Sequence, residues 1–244
     1  IKCQSANLKP KAVVLTTTIR ALKYHGGADL KSLTTPDVNA LKNGLPNLEK
    51  HLENIGKFNV PAIIAINKFT SDSNEEIEVI TKFAKSKNIK VAVADVWGQG
   101  GIGTLELAQA VIDEVEKGSA NFKPLYNWQS NVKDKIETIA TEIYGAEHVD
   151  YSSKAKANLK TITNLGLENL PICIAKTQKS LSDNPKLLGR PKDFIITIRE
   201  IEIAAGAGFL IPITGDIMRM PGLPAHPASE NIDINDDGEI VGLF

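Results

Sequence analysis

Three stretches in the first hundred residues are built from β-branched and small apolar residues with almost no polar alternation: AVVLTT at 12–17, VPAIIAIN at 60–67 and KVAVADV at 90–96. A strand with one wet face alternates apolar and polar residues, so runs of this kind predict strands buried on both faces, as in a parallel sheet covered by helices. The intervening segments have helical spacing. One opens near Pro46 and sets Leu48, Leu52 and Ile55 on a common face. Another, at 75–86, does the same with Ile77, Ile80 and Ala84, with Phe83 at the edge. A third follows the last strand as LELAQAVIDEVEKG at 105–118, where Leu105, Ala108, Val111, Ile112 and Val115 form the expected apolar face and Gly118 the stop. This alternation predicts a parallel α/β sheet.

The pattern changes after Pro124. Residues 119–130 are polar and read as a connection, which divides the chain into 1–120 and 121–244. Val132, Ile136, Ile139 and Ile143 predict a helix over 132–144 ended by Tyr144-Gly145, and 153–165 predicts another. LPICIAKT, FIITIREIEI and GAGFLIPITG then read as strands of a smaller mixed sheet. The 244 residues suffice for one large core or two smaller ones.

Charge and cysteine usage exclude several function classes. With 28 Lys and Arg against 29 Asp and Glu, the net charge of −1 provides no global field for nucleic acid or anionic lipid. No apolar run approaches the roughly 20 residues that cross a bilayer. Cys3 and Cys173 belong to no CxxC or Cys/His cluster, so no metal site is expected and a reducing, cytoplasmic setting is. The opening IKCQSANLKP, without Met or signal segment, predicts a chain that begins inside a longer parent or after processing.

Ligands of parallel α/β folds sit at the C-terminal ends of strands. Asn67, Lys68 and Phe69 follow the second strand, and Trp97 follows the third, just before GQGGIG at 98–103. Phe69 and Trp97 can sandwich a flat heterocycle, or each can pack under a neighbouring loop. Gly98, Gly100 and Gly101 permit close backbone approach to an anion or ring edge, although the run is neither GxGxxG nor a P-loop. TTTIRALKYHGG at 16–27 places Thr18, Arg20, Lys23 and His25 after the first strand, which suits phosphate binding or a capped, solvent-facing turn. Asp216, Arg219, His226 and Glu230, in the Gly- and Pro-rich stretch 214–232, are too scattered to define an acid/base or metal constellation. That stretch suits a lid or a surface connection.

Four segments carry a resemblance: TTTIRALKYHGG at 16–27, NGLPNLEKHLENIGKFNVPAIIAINKF at 43–69, AKTQKSLSDNPKLLGRP at 175–191 and TGDIMRMPGLPAHPASENIDINDDGEIVGLF at 214–244. Together they resemble formate–tetrahydrofolate ligase (formyltetrahydrofolate synthetase), in its C-terminal half, over essentially the whole chain. The resemblance implies an ATP-dependent enzyme that converts formate to formyl phosphate and formylates tetrahydrofolate at N10. ATP with Mg2+ and tetrahydrofolate enter as substrates, and no permanently bound cofactor is expected. The fold expected is α/β, a parallel-sheet, P-loop-NTPase-like core portion followed by a smaller mixed α/β domain. Phe69 and Trp97 then look like the pair that holds the pterin, with Asn67, Lys68, Gly98, Gly100 and Gly101 shaping the same pocket. Thr18 would lie on the nucleotide side and Arg20 would give catalytic electrostatic support. The sequence contains no GxxxxGK[ST], so the phosphate-holding half is expected outside these residues, and the fragment alone is expected to be inactive. The intact enzyme is expected to be a homo-oligomer. The alternatives are a noncatalytic folate-binding or oligomerisation fragment, and a nucleotide-switch module, which lacks the NKxD continuation after Asn67.

Overall fold

The computed structural model describes residues 1–215 and 226–242. After a short helix α1 (Lys2–Ser5), the first half runs β1 (Val13–Thr17), α2 (Ile19–His25), α3 (Val38–Gly56), β2 (Ala62–Asn67), α4 (Asn74–Ser86), β3 (Lys90–Ala94), α5 (Val96–Gln99) and α6 (Leu105–Glu116). The three strands form a parallel sheet with β2 in the middle. Register puts Leu15, Ile64 and Val91 side by side, and Ile66 beside Val93, on the face that packs against Ile19, Leu22, Leu41, Leu48, Leu52, Ile80 and Ala84 of α2, α3 and α4.

The opposite face is covered less completely. There α6 packs on β3 and reaches β2 but leaves β1 open, so Val14 is 40% exposed and Thr16 is exposed. The expectation that the first run is a buried strand is corrected: it forms the sheet edge, and its residues alternate in burial because one side has no cover. The apolar face of α6 is corrected too. Leu105 is 64% exposed, Ala108, Ile112 and Val115 are also exposed, and no residue of the helix is fully buried.

Helix α3 starts at Val38, eight residues before the start that Pro46 suggested, because Asp37 caps it by accepting the Ala40 N–H at 2.9 Å. Pro46 therefore sits inside the helix, where a proline costs roughly 3 kcal/mol. Burial of Leu41, Leu48 and Leu52 against the sheet offsets that cost, at about 1.5–3 kcal/mol per fully buried side chain. At the α2–α3 crossing, Gly26 and Gly44 let the backbones meet, and a Cβ on Gly44 would stand 1.9 Å from the Leu22 carbonyl oxygen. Helix α4 opens on a capping box between Ser73 and Glu76.

Residues 119–130 contain no regular element but are pinned to the first half. The Asn121 and Lys123 amides donate to the carbonyls of Asn59 and Phe58, and the Phe58 and Phe122 rings stack at 6.4 Å. Next come α7 (Val132–Thr138), which continues as a wider helical turn to Tyr144, then β4 (His148–Tyr151), α8 (Ser153–Asn164), β5 (Ile195–Ala204) and β6 (Phe209–Thr214), with a small ribbon of β7 (Asp233–Ile234) and β8 (Ile240–Val241). The second sheet is mixed, in order β4-β5-β6, with β4 parallel and β6 antiparallel to β5. LPICIAKT does not form the expected strand. It touches β6 through two isolated bridges, Ile172 to Leu210 and Ala175 to Ile213, because Pro212 of β6 has no N–H to donate to the Cys173 carbonyl between them, which interrupts the ladder.

Directional bonds join α2 and α3 to the helical turn that ends at Tyr144 and to the loop that precedes β5. Lys50 Nζ donates to the Glu142 carbonyl at 2.8 Å and Asn54 Nδ2 to that of Ile143 at 2.9 Å. Gly189 is held at both ends: its N–H donates to His25 Nδ1 at 3.1 Å and its carbonyl accepts from Asn47 Nδ2 at 2.8 Å. Arg190 makes a two-pronged contact with Glu53, both bonds 2.7 Å. Accepting the Gly189 amide requires an unprotonated Nδ1 on His25, and burial, then the neighbouring His51, hold that imidazole's pKa below its ordinary value.

Candidate functional site

The C-terminal ends of β1, β2 and β3 lie side by side. Beyond Asn67, the Lys68 N–H still donates to the Ala94 carbonyl at 3.1 Å, which carries the pairing one residue further. Phe69 then turns away, its N–H donating to Asp72 Oδ2 at 2.8 Å while the Asp72 N–H returns to the Phe69 carbonyl. From the end of β1, Arg20 reaches across. Its guanidinium lies 4.4 Å from the Phe69 ring centroid and Nη2 donates to Ser71 Oγ at 3.1 Å. Arg20 Nε and Asp72 Oδ1 are both buried without a protein partner. A polar ligand group or water at this corner would satisfy them.

Thr18 serves α2 as its N-cap, with Oγ1 accepting the Ala21 N–H at 3.1 Å. Lys23 belongs to the interior rather than to a ligand surface: its side chain is buried, pairs with Glu76 at 2.9 Å and donates to the Thr35 carbonyl at 2.8 Å. The expectation that grouped Lys23 with a phosphate site is therefore corrected. His25 faces Gly189 rather than the strand ends.

Trp97 stands on α5, 84% exposed, at the end of the strand next to the one that carries Phe69. Its loop closes around Asp95. Gly98 is confined by that carboxylate, from which a Cβ would be 2.7 Å away, while Gly100 takes φ +58° and Gly101 has open space around it. The structure thus brings Arg20, Phe69 and Ser71 together, and links Lys68 to Asp95 at 3.4 Å. Ser71, Asp72 and Asp95 do not stand out in the sequence, where the strand-end dipeptides TS and AD are the only signal of them.

A family model for formate–tetrahydrofolate ligase matches residues 1–244. The chain belongs to the formate–tetrahydrofolate ligase family. Its α/β architecture is a three-stranded parallel sheet followed by a three-stranded mixed one. Among the described residues, no helix is long and apolar enough to cross a membrane, and no group of three His, Cys, Asp or Glu side chains is placed to hold a metal ion. Asp216 and Arg219 lie outside the described residues, whereas His226 Nδ1 and Glu230 Oε2 meet at 3.4 Å in an exposed pair. A cavity of about 720 Å3 opens away from the strand ends, between the start of α7 and α8, with Lys133, Lys156, Leu159 and Lys160 among its walls.

The segment AKTQKSLSDNPKLLGRP is organised by Lys176. Its ammonium donates to the carbonyls of Thr177 and Ser182, both at 2.9 Å, and to that of Ser180, with the Tyr144 ring 5.0 Å away. Burial lowers the Lys176 pKa from 10.5 to about 8, against a smaller upward pull from Asp183. Between these values the unfolded chain holds a proton that the folded chain has released, so this lysine makes folding more favourable as pH rises through that window. Urea midpoints of the wild type and Lys176→Met, compared at pH 7.5 and pH 9.5, should therefore move in favour of the wild type at the higher pH. An unchanged difference would mean that Lys176 titrates as in the unfolded chain.

Proposed function

We propose that this chain is a C-terminal portion of an ATP-dependent ligase that activates formate as formyl phosphate and formylates tetrahydrofolate at N10, and that it supplies the folate side of the site. The observation that carries this reading is the placement of Phe69 and Trp97 at the C-terminal ends of adjacent parallel strands, within a chain of the ligase family. Phe69 already carries Arg20 on one ring face, which leaves its other face and the exposed Trp97 ring for a pterin. Asn67, Lys68 and the glycines at 98, 100 and 101 border the same place.

The chemistry explains why two sides are needed. Formate is a poor acyl donor, because attack on its carbon would have to expel oxide. When a formate oxygen attacks the γ-phosphorus of ATP, ADP leaves and formyl phosphate forms. N10 then attacks the formyl carbon, phosphate leaves with its bonding pair, and N10 loses a proton. Charge neutralisation and in-line positioning govern the first step, and Mg2+ arrives with ATP. No P-loop occurs in this sequence, so the phosphate cradle is assigned outside these residues. Arg20, beside the folate ring site and at the end of β1, is the residue assigned to support developing negative charge, and Thr18 borders the nucleotide side. The open edge of β1 and the apolar stripe of α6 fit a surface covered by the remainder of the ligase, or by another copy in a homo-oligomer.

Trp97→Ala in the full-length ligase tests the folate assignment. It removes a stacking surface and no phosphate contact, so tetrahydrofolate binding should weaken by about 1–3 kcal/mol while ATP binding stays as it was. Equilibrium titrations of both ligands, with circular dichroism as the fold control, decide it. Unchanged tetrahydrofolate affinity in a folded variant removes Trp97 from the pocket.

A further inference from the structure

We propose that Asp95 is a positioning residue for the folate pocket: it fixes the loop that carries Trp97 and ties that loop, through Lys68, to the strand end that carries Phe69. The proposal rests on the folate reading of those two rings.

An 84%-exposed side chain is not positioned by packing, so the place of the Trp97 ring is set by its backbone. That backbone is wrapped around one residue. Asp95 Oδ1 accepts the Gly98 N–H at 3.0 Å and Oδ2 accepts from Gln99 Nε2 at 3.1 Å. The main chain of the same residue closes the loop at both ends: its N–H donates to the Gly103 carbonyl at 3.1 Å, and its carbonyl accepts the Gln99 N–H at 3.1 Å. Gly98 and Gly103 are the positions where this wrapping leaves no room for a side chain. A Cβ would lie 2.7 Å from Asp95 Oδ1 at the first and 2.2 Å from the Asp95 carbonyl oxygen at the second.

The remaining contact crosses to the neighbouring strand. Lys68 Nζ approaches Oδ2 at 3.4 Å, and Lys68 immediately precedes Phe69. Trp97 and Phe69 thus hang from the two partners of one ion pair, and the gap between the rings is set by groups that need not touch folate. Hydrogen bonds from Gln99 and Gly98, with a smaller contribution from Lys68, hold the Asp95 carboxyl below the usual carboxylate range, so it is charged throughout the neutral range. Lys68 then acts through Asp95 rather than as a ligand contact.

The test compares Asp95→Ala, Asp95→Asn, Lys68→Met and Trp97→Ala in the full-length ligase, reading KM for tetrahydrofolate, KM for ATP, kcat and thermal melting. Asp95→Ala should raise the tetrahydrofolate KM about tenfold, a loss comparable to that of a mispositioned ring, with the ATP KM unchanged. Asp95→Asn keeps an acceptor for the Gly98 amide but sets an amide against Gln99 and Lys68, so it should fall between wild type and Asp95→Ala. A cap with no positioning role would lower the melting temperature and leave the ratio of the two KM values where it was, which overturns the proposal. If Trp97→Ala weakens tetrahydrofolate and Asp95→Ala does not, the folate reading stands and this proposal falls. An unaffected Trp97→Ala in a folded protein removes both. Should Asp95→Ala fail to fold, Lys68→Met decides, because it breaks the tie and spares the cap: an unchanged tetrahydrofolate KM there also overturns the proposal.

Discussion

Glu76→Ala is expected to destabilise the protein by about 3–5 kcal/mol, the range for removing one partner of a buried ion pair. The carboxylate has no exposed surface, pairs with Lys23 at 2.9 Å, and accepts the Asp37 and Ser73 amides at 2.9 and 3.1 Å together with the Ser73 hydroxyl at 2.8 Å. Its loss strands a buried ammonium and two amides at once. Lys23→Met should cost less, because the remaining carboxylate keeps three hydrogen bonds. A double Lys23→Met, Glu76→Leu variant should stay below wild type, since the amides of Asp37 and Ser73 would still lack an acceptor. Burial pushes the Glu76 carboxyl pKa up, but the Asp37 amide, Lys23 and Ser73 together outweigh it and hold the group below its ordinary 4.5. The stabilisation is therefore complete above about pH 4.5 and is lost as pH falls through the lower folded value. Urea denaturation at pH 7 and pH 3.5 would show it as a gap between wild type and Glu76→Gln that narrows in acid. A gap of the same size at both pH values would contradict the assignment.

Gly44→Ala is the second large effect expected. Helix propensity alone favours alanine by about 1 kcal/mol. Against that, the added carbon would lie 1.9 Å from the Leu22 carbonyl oxygen and 3.2 Å from the Gly26 nitrogen, all backbone atoms that no rotamer change can move. Overpacking costs about 1–3 kcal/mol even where side chains can yield, so a net loss of about 2 kcal/mol or more should follow as α2 is pushed off α3. Gly56→Ala, at the far end of the same helix with nothing within 4 Å of its added carbon, is the matched control and should be neutral. Equal denaturation midpoints for Gly44→Ala and Gly56→Ala would disprove the close crossing.

The parts of the fold legible in the sequence were those whose signal is local. β2 and β3 declared themselves by β-branched runs, α4 and α8 by periodicity, and Gly118 and Gly145 end their helices with φ +64° and +83°. The α3 start is legible in principle, since Asp37 is a capping residue, but Pro46 is a louder signal for a helix start than an aspartate nine residues earlier. Burial was less legible than secondary structure. Leu105, Ile112 and Val115 have the spacing of a core face, yet whether such a face is covered depends on what else packs there, which periodicity cannot express. β4 is not legible in the sequence, because four residues at a sheet edge carry little pattern. At the strand ends, the positions of Asn67, Phe69 and Trp97 followed from the strands. The employment of Lys23 by Glu76 and of Arg20 by Ser71 did not, because each joins residues about fifty apart in sequence.

The bonds from α2 and α3 to the turn ending at Tyr144 and to the loop before β5 also have a mechanical consequence. Two packed greasy surfaces can slide by fractions of an ångström at little cost. A seam made of Lys50 and Asn54 aimed at single carbonyls, Gly189 gripped at both its N–H and its C=O, and Arg190 forked onto Glu53 cannot. Each contact loses most of its strength once its angle is spoiled, so small displacements are opposed by all of them together and large ones require all to break. The seam is a rivet rather than a bearing: it resists sliding of α2 and α3 along the second half of the chain.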